Sequence, residues 1–592
     1  MRRKGNRGAI TLFTLIAGLS FIAFLTTMLM MISIKRQTQA EATKQTKDIY
    51  SSGDASNIYD EYFAEGAVPI YTFEQLKKMC SGDTIAINEM DGKYYTFSND
   101  AVYVLMNDIV GEYNGTIDLP SPALAENGRI VGNGKLIKIL NSSTGDYDLY
   151  KGDDKHILPV VARVGNNYYV SLQEAFNATS SSNGITVWLL RDISDNVTVG
   201  SDKNISLKLE GHTITNEDDE PVITVNGFLM TNDGRIEGHF ESDVPTIRVN
   251  PNAEIDISST NISRTSEYEY KKETVELHGT FKIDSGKIEN TDQCAIWSYT
   301  DSDVTMEISG TAELYSSATE YVTLYNNTTG NTKITGGTII AENSFAIRQE
   351  GIMEITGGEI TGAHGGGVGN VSGLLKISGG RIRATNSNAI TNKTDGTLEI
   401  SGTAEIEGTS SNVPILTNRG TATITGGTIS ATNSNTIYNY AEGILEIGGT
   451  AEIEGISTNN PTLYNYGTAT ITGGTISTTN SNAIVNQTGG TLEISETAEI
   501  EGTSSSNPTL ANYGTATITR GLISATNSNA IVNRTDGILE IGGTAEIEGT
   551  ATNAPTLANY GTATITGGTI STTNSNAIVN QTDGTLEIGG TA

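Results

Sequence analysis

Charged residues between positions 200 and 375 are the first candidates for chemistry in this sequence. Carboxylates that converge with arginine or lysine on one face can act as general acids and bases toward an acidic polysaccharide. The candidates in this stretch are Asp218, Asp219, Glu220, Arg235, His239, Arg248, Lys271, Lys272, Asp284, Lys287 and Asp292. Because no pair of them has a spacing that singles it out, we predict no catalytic residue. A polysaccharide lyase or glycoside hydrolase that acts on acidic polysaccharide is the alternative.

Six tyrosines that recur beside asparagines are the candidates for binding. An aromatic ring with a polar tip can stack on a sugar or line a protein-binding strip. The six are Tyr438, Tyr440, Tyr464, Tyr466, Tyr513 and Tyr560. The alternative interpretation is that these rings pack in or over the turns of the fold.

The remaining residue types predict neither a metal site nor a cofactor. The five histidines lie at unrelated positions and form no metal-ligand motif. Two cysteines, Cys80 and Cys294, are too few for a disulfide framework or a cysteine-rich zinc site. With 36 basic and 68 acidic residues the formal net charge is −32 at pH 7. Such a surface repels phosphate backbones, so we predict no binding to nucleic acid.

The N-terminus, residues 1–34, has the pattern of a membrane signal-anchor. Four basic residues up to Arg7 precede an uncharged stretch of 26 residues, 9–34. A helix of ~20 residues already spans a bilayer core. The excess of positive charge before the stretch favours export of the rest of the chain. We predict a single-pass cell-membrane protein with an extracellular bulk, and secretion after cleavage near Ala42 is the alternative.

The stretch from Gly8 to Ile16 also resembles the start of type IV pilin-like proteins, in which a short basic leader ends in Gly before an apolar helix. That family carries Glu at the position of Phe13. The resemblance implies pilus assembly as a further option.

Three segments separate the apolar stretch from the repeats. Residues 35–60 are polar and cannot bury a core, which is typical of a spacer. Residues 61–150 combine a capping box at Thr72 with alternating apolar residues, and we predict a small α+β module with a hairpin turn at Asp91-Gly92. Residues 151–215 again combine a capping box, at Ser171, with strands of alternating apolar residues. We predict that this segment is the N-terminal cap of a solenoid.

The C-terminal half repeats with a period of 47 residues. TATITGG begins at Thr421, Thr468 and Thr562, with the variant TATITRG at Thr515. Each period divides into two coils of 23 and 24 residues, and strands such as Thr421-Ala422-Thr423-Ile424 alternate with period 2. Three short strands and three turns per coil predict an all-β, right-handed parallel β-helix over residues 216–592, with 47-residue double coils from about 375.

This repeat, together with VARVGNNYYVSLQEAF and ITVWLLRDISDNV before it, resembles the pectate-lyase-like right-handed β-helix of bacterial surface proteins and adhesins. The resemblance covers about 430 residues. It implies a parallel β-helix displayed outside the cell. It carries no catalytic residue over to this chain.

One asparagine per coil predicts a ladder inside the solenoid. Side-chain amides stacked along the axis can each donate to the next and accept from the previous one. The members are Asn392, Asn418, Asn439, Asn465, Asn486, Asn512, Asn533, Asn559 and Asn580. We favour this structural role over a metal or sugar site, because a site does not need nine copies in line.

Two departures from the repeat carry a prediction about backbone strain. Arg520 replaces the glycine found at Gly426, and Glu496 replaces the one found at Gly449. If these turns need positive φ, each replacement costs around 1 kcal/mol or more. The sequence stops at Ala592 in the middle of a coil, from which we expect further coils beyond it.

Export, length and a repetitive hydrogen-bonding surface together favour a binding role. We therefore expect a non-catalytic, membrane-anchored surface stalk or adhesin whose rigid β-helix binds glycans or protein partners. Cleavage of acidic polysaccharide is the alternative, and a group of acidic and basic residues converging in coils 200–375 would favour it.

Overall fold

The computed structural model describes residues 67–81, 85–87, 93–95, 98–113, 128–142, 147–153, 156–180, 184–216, 218–265, 272–299 and 304–592. The predicted membrane segment 9–34 and the spacer 35–60 lie outside these residues. Among the described residues, none forms a helix that is both long and apolar enough to cross a membrane. The chain divides into two compact units, Met1–Pro159 and Val160–Ala592.

The first unit is a small α+β fold. Its helix α1, Phe73–Ser81, begins with the predicted capping box: Gln75 N donates to Thr72 Oγ1 at 3.3 Å and Thr72 N donates to Gln75 Oε1 at 3.1 Å. The strands are Val68–Ile70, Ile85–Ile87, Lys93–Tyr95, Val102–Leu105, Ile109–Tyr113, Arg129–Val131, Leu136–Asn141, Tyr147–Asp153 and His156–Pro159. The predicted Asp91-Gly92 turn lies outside the described residues.

The strands of the first unit are arranged in separate small sheets. The first, fourth and sixth pair in parallel, as do the fifth and seventh. The seventh, eighth and ninth pair antiparallel. Helix α1 contributes Leu76 and Met79 to a core that also contains Ile70 and Leu105.

The second unit begins with an antiparallel hairpin and a short helix. Ala162–Val164 pairs with Asn167–Tyr169. Helix α2, Leu172–Asn177, follows, and Ser171 caps it by accepting a hydrogen bond from Glu174 N. The buried helix residues Leu172, Ala175 and Phe176 join the core of the solenoid that follows.

From Ile185 onward the second unit is a parallel β-solenoid of the right-handed type, with about 19 turns of about 24 residues. This confirms the predicted solenoid, and the parallel pairing of Ile185–Leu189 with Asn204–Lys208 shows that it begins N-terminal of residue 216. Each coil contributes one strand to each of three sheets.

The first sheet contains Val197–Val199, Ile223–Val225, Ile247–Val249, Val275–Leu277, Ile296–Ser298, Leu324–Asn326, Ile347–Gln349, the start of Val368–Ile377, the start of Ile390–Ile400, Leu416–Asn418, Ile437–Asn439, Leu463–Asn465, Ile484–Asn486, Leu510–Asn512, Ile531–Asn533, Leu557–Asn559 and Ile578–Asn580.

The second sheet contains Ile185–Leu189, Asn204–Lys208, the start of Phe228–His239, the start of Glu254–Thr265, Thr280–Ile283, Thr305–Ile308, Asn331–Ile334, Ile352–Ile355, the ends of Val368–Ile377 and Ile390–Ile400, Thr421–Ile424, Ile444–Ile447, Thr468–Ile471, Thr491–Ile494, Thr515–Ile518, Ile538–Ile541, Thr562–Ile565 and Thr585–Ile588.

The third sheet contains Ile193–Ser194, Thr213–Asn216, the ends of Phe228–His239 and Glu254–Thr265, Gly286–Asn290, Glu313–Ser316, Thr338–Ala341, Glu359–Gly362, Arg381–Thr385, Glu405–Thr409, Thr428–Thr432, Glu452–Ile456, Thr475–Thr478, Glu499–Gly502, Leu522–Ala525, Glu546–Gly549 and Thr569–Thr572.

Period-2 alternation places one face of every strand in a common core. In Thr421–Ile424 the side chains of Ala422 and Ile424 are fully buried, whereas Thr421 is exposed. The same residues stack in register, with Ile424 opposite Ile447 in the next coil. Burial of these aliphatic columns is the main stabilising contribution, because no single coil can cover its own apolar face.

A ladder of asparagine amides runs inside the first sheet. Asn392 Nδ2 donates to Asn418 Oδ1 at 2.8 Å, and the same bond repeats coil by coil to Asn559 and Asn580. Each donor from Asn392 to Asn559 also reaches a backbone carbonyl of the next coil, as in Asn392 Nδ2 to Thr421 O at 3.0 Å. The amides in this column are therefore satisfied along the axis, although they are buried.

The column also extends toward the N-terminus. Asn370 donates to Asn392 at 2.7 Å, and Asn326 donates to Gln349 at 2.5 Å. Between Gln349 and Asn370 the ladder is interrupted, because Gln349 Nε2 and Asn370 Oδ1 have no partner within the described residues.

The two departures at glycine positions have different structural consequences. Positive φ occurs at Gly427, Gly474, Gly521 and Gly568, one residue after the position that Arg520 occupies. The prediction of backbone strain at Arg520 is therefore wrong. Glu496, in contrast, has φ of 53°, close to 59° at Gly449 and 57° at Gly543.

Glu496→Gly is expected to stabilise the surrounding coils by about 1 kcal/mol, since glycine adopts this backbone conformation without a Cβ penalty. Thermal unfolding and hydrogen exchange of the turn after Thr491–Ile494 measure the effect. Arg520→Gly is the matched control and should give no gain, because residue 520 does not have positive φ. Equal gains from both substitutions would contradict the assignment of strain to Glu496.

Candidate functional site on the first sheet

The outer surface of the first sheet presents two side-chain positions per coil. The central residue of each strand points away from the core, because its neighbours on both sides point into it. Where this residue is a tyrosine it is half-buried, whereas smaller central residues such as Thr417, Val485 and Ala511 are buried. The residue that follows the strand lies beside it. In the coil of Ile437–Asn439 these two positions are Tyr438 and Tyr440, and in the next coil they are Tyr464 and Tyr466.

These four tyrosines form one cluster, here called the tyrosine cluster. The Tyr438 ring lies 4.4 Å from Tyr440, 5.2 Å from Tyr464 and 5.6 Å from Tyr466, and the Tyr464 and Tyr466 rings are 5.2 Å apart, all between centroids. The four side chains are half-buried, so part of each ring reaches solvent. The cluster is thus a preformed aromatic surface.

Polar groups border the tyrosine cluster. The Arg419 guanidinium carbon lies 3.4 Å from the Tyr440 ring centroid, and Gln487 Nε2 donates to the Tyr464 hydroxyl at 2.7 Å. Burial and the adjacent Tyr466 hydroxyl raise the pKa of Tyr464 to about 12, and similar causes raise the pKa of Tyr438. These two phenols are therefore neutral hydrogen-bonding groups at physiological pH.

The other two predicted tyrosines lie apart from the cluster. Tyr513 is half-buried beside the Arg534 guanidinium, 5.7 Å from its ring centroid. Tyr560 is 38% exposed. Thus the structure brings four of the six predicted tyrosines together. The nine predicted asparagines project to the inside of the same sheet, where eight are fully buried and Asn580 in the last coil is exposed.

A second cluster lies on the same sheet nearer the N-terminus, and we call it the mixed cluster: Arg248, Lys272, Glu273, Glu276, His278, Trp297, Tyr299 and Tyr325. Its charged half centres on Glu276, whose side chain is 10% exposed. Glu276 accepts from Arg248 Nε at 2.8 Å, contacts Lys272 Nζ at 3.0 Å and lies 3.3 Å from His278 Nε2.

The second carboxylate of the mixed cluster, Glu273, is almost fully buried at 1% side-chain exposure. It accepts from Tyr299 OH at 2.9 Å and lies 3.2 Å from Lys272 Nζ. Burial raises the pKa of Glu273. Burial alone would also raise the pKa of Glu276, but hydrogen bonds and charge from Arg248 and Lys272 lower it overall.

The aromatic half of the mixed cluster faces outward beside these charges. Ring centroids are 4.7 Å apart for His278 and Tyr299, 5.5 Å for Trp297 and Tyr299, and 4.6 Å for Trp297 and Tyr325. The Arg348 guanidinium carbon lies 4.8 Å from the Tyr325 ring centroid. This half resembles the tyrosine cluster in composition, with stacked rings bordered by an arginine.

Of the charged candidates from the sequence, Arg248 and Lys272 belong to the mixed cluster and others lie elsewhere. Arg248 and Lys272 meet at Glu276, whereas Lys287 pairs with Glu289 and Glu313 on the third sheet. Arg235 and His239 lie near Glu237 on that same sheet. Lys271 is outside the described residues. No described group of three or more His, Cys, Asp or Glu side chains is arranged to hold a metal ion.

Sequence reasoning missed Glu273, Glu276, Trp297, Tyr299 and Tyr325. A signal was present, because VELH, IWSY and LYNN occupy the same register as IYNY at residues 437–440. The irregular coil lengths before residue 375 hid this register, which becomes visible only once strand pairing aligns the coils.

Both clusters therefore combine half-buried rings with hydrogen-bonding groups on one sheet, an arrangement suited to the faces and hydroxyls of sugars. The mixed cluster adds two carboxylates and two cations that could take part in proton transfer. Comparison of the chain with protein-family models, with curated proteins and with solved structures found no match.

Proposed function

We propose that this chain is a non-catalytic surface stalk or adhesin that binds glycans through the outer face of its first sheet. In this proposal residues 9–34 anchor it in the cell membrane and the solenoid is extracellular, as in the bacterial β-helix adhesins that the sequence resembles. The observation that carries the binding role is the tyrosine cluster, in which four rings from two adjacent coils form one surface beside Arg419.

The distribution of charge supports the choice of the first sheet. From Ile390 onward its strand segments contain no acidic residue, whereas the other two sheets present regular columns of glutamates. In the second sheet these are Glu399, Glu446, Glu493, Glu540 and Glu587, and Glu446 is separated from Glu493 by Thr470. Like charges two coils apart are about 9.6 Å from each other, near the Debye length, so they keep those faces hydrated with little mutual repulsion.

Tyr464→Ala is expected to weaken glycan binding about tenfold, because it removes a central ring of the cluster. The measurement is retention of the full chain, in detergent micelles, on an array of neutral and acidic polysaccharides. Tyr464→Phe retains the ring and should bind nearly as well, and Tyr560→Ala, outside the cluster, is the matched control.

Thermal unfolding of each variant separates loss of binding from loss of fold. Equal retention of wild type and a folded Tyr464→Ala variant on every glycan would overturn the assignment of binding to the cluster. Binding of the chain to a protein, with no retention on any glycan, would overturn the assignment of glycans as the ligand.

Cleavage of acidic polysaccharide remains the second candidate function, and one observation favours it. Glu273 and Glu276 converge with Arg248 and Lys272 within coils 200–375. Against it, Glu273 is nearly inaccessible and Glu276 already accepts from two cations, so neither carboxylate is free to act as a base. Release of new sugar ends by wild type, and its loss in Glu276→Gln, would establish this alternative.

A further inference from the structure

We propose that Tyr438 and Tyr466 are a site of oxidative modification, at which a carbon–carbon bond between the two rings joins adjacent coils of the solenoid. The oxidant that we assign to this site is hydrogen peroxide, acting through a haem peroxidase. Such a link is independent of glycan binding, because it depends on contacts between the rings and on no other ligand.

Tyrosines are the most readily oxidised side chains in the coils around this pair. After Met353 the sequence contains no cysteine, methionine or tryptophan, whereas all six tyrosines discussed above lie there. Sulfur-containing side chains and indoles are the groups that compete with phenols for an oxidant. An oxidant that reaches these coils therefore acts on phenols, with no sulfur atom or indole to compete for it.

The rings of Tyr438 and Tyr466 meet at the positions where phenoxyl radicals couple. Their centroids are 5.6 Å apart and their planes differ by 27°. The Tyr466 hydroxyl is in hydrogen-bond contact with the Tyr438 hydroxyl, which brings the phenolic ends of the two rings together. The unpaired electron of a phenoxyl radical is shared by the oxygen and by the ortho and para carbons. Because the para carbon of tyrosine carries the side-chain methylene, the new bond forms between ortho carbons beside the hydroxyls.

The other two rings of the tyrosine cluster are less suited to this bond. The Arg419 guanidinium carbon lies 3.4 Å from the Tyr440 ring centroid and so covers one face of that ring. The Tyr464 ring is tilted by 49° to Tyr438 and by 76° to Tyr466. Tyr438 and Tyr466 are closest to parallel, and both are half-buried, so part of each ring reaches solvent.

The reaction is a two-electron oxidation. The peroxidase takes one electron and one proton from each phenol, and hydrogen peroxide accepts both pairs to give two molecules of water. The two phenoxyl radicals then form one bond between an ortho carbon of each ring. The hydrogen on each of these carbons moves as a proton to the phenolic oxygen of its own ring, which restores two aromatic phenols. The linked chain has two hydrogen atoms fewer than the starting chain.

The bond closes a loop across two neighbouring coils. Ile437–Asn439 and Leu463–Asn465 are adjacent strands of the first sheet, with Tyr438 directly opposite Tyr464. A covalent link between residues 438 and 466 limits the separation of these strands in the same way as a disulfide that closes a loop. We therefore expect the link to suppress local opening of the two coils.

The test treats the full chain, in detergent micelles and at low protein concentration, with a haem peroxidase and hydrogen peroxide. Cleavage of the denatured product after glutamate separates the two tyrosines, because it releases residues 408–442 with Tyr438 and residues 455–493 with Tyr466. We expect these two peptides to be joined, with two hydrogen atoms fewer than their sum, and fragmentation should place the link at Tyr438 and Tyr466. Dityrosine fluorescence should appear while the chain stays monomeric on a denaturing gel.

Tyr466→Phe should abolish the joined peptides, because phenylalanine cannot form a phenoxyl radical. Tyr513→Phe is the matched control and should give the wild-type yield, since no described ring contact joins Tyr513 to another tyrosine. Circular dichroism before oxidation checks that each variant is folded. In the linked wild-type chain, hydrogen exchange of Ile437–Asn439 and Leu463–Asn465 should slow at least about tenfold.

Four results would contradict this modification site. Joined peptides that persist in folded Tyr466→Phe, links that form only between separate chains, or oxidation without a link between the two coils would each overturn it. Unchanged hydrogen exchange in a fully linked chain would overturn the expected restraint on the two coils. Each of these results leaves the glycan-binding proposal as it stands, because the retention experiment uses the chain before oxidation.

Discussion

Asn465→Asp will destabilise the coils around it by about 3–5 kcal/mol at neutral pH, the range for an uncompensated buried charge. Asn465 is fully buried in the middle of the amide ladder. Its Nδ2 donates to Asn486 Oδ1 at 2.8 Å and to Thr491 O at 3.0 Å. An aspartate has no hydrogen to donate, so its carboxylate would face these acceptors at a fully buried position.

The sign of the pH dependence follows from the same contacts. Burial next to acceptors raises the pKa of the introduced carboxyl above its ordinary value of about 3.9. The destabilisation is therefore full above this raised pKa and disappears as the pH falls below about 3.9, where the carboxyl is protonated in both folded and unfolded chains. A protonated carboxyl can again donate to Asn486.

Hydrogen exchange of the strands from Ile437–Asn439 to Ile484–Asn486, at neutral and acid pH, measures this effect locally. A local measurement is needed because a solenoid need not unfold in one step. Asn480→Asp is the matched control in an exposed bend and should change stability by no more than about 0.5 kcal/mol. A similar small effect at residue 465 would contradict the ladder.

Glu276→Gln will destabilise the coils of the mixed cluster by about 2–3 kcal/mol. The substitution keeps the size of the side chain but removes the negative charge that Arg248, Lys272 and His278 contact, and Lys272 keeps its contact with Glu273. Breaking a buried ion pair costs about 3–5 kcal/mol, and we take a lower value because Arg248 is one-third exposed.

This effect should also depend on pH. Because the folded-state pKa of Glu276 is lowered, its contribution is present above the ordinary glutamate pKa and is lost as the pH falls through the lowered value. Hydrogen exchange of residues 272–299 should thus show a large difference between wild type and variant at pH 7 and a smaller one in acid. Glu289→Gln removes an exposed partner of Lys287 and serves as control, with at most about 1 kcal/mol expected. Equal losses from the two variants would contradict a buried role for Glu276.

The regular coils are predictable from sequence because their signals are local and repeated. The 47-residue period fixes the coil length, and the alternation in Thr421–Ile424 fixes which side chains enter the core. Asparagine at one position per coil then implies a column. Glu496 is a predictable site of strain because it replaces a glycine that recurs at the same place in the period, at Gly449 and Gly543.

Other features depend on geometry that no local pattern specifies. The glycine pair in each turn does not reveal which member has positive φ, and the structure places it at Gly427, so that Arg520 is unstrained. The mixed cluster was not predictable because Glu276 and Trp297 meet only through strand pairing between coils of unequal length. The predicted anchor at residues 9–34 stays a prediction.

The most direct test of glycan binding without catalysis measures protein retention and sugar release in the same sample. The full chain in detergent micelles is incubated with immobilised neutral and acidic polysaccharides, and both the protein retained and the sugar ends released are measured over time. We predict retention with no release of sugar ends, and weaker retention for Tyr464→Ala. Release of sugar ends that Glu276→Gln abolishes would contradict the proposed function and assign catalysis to the mixed cluster.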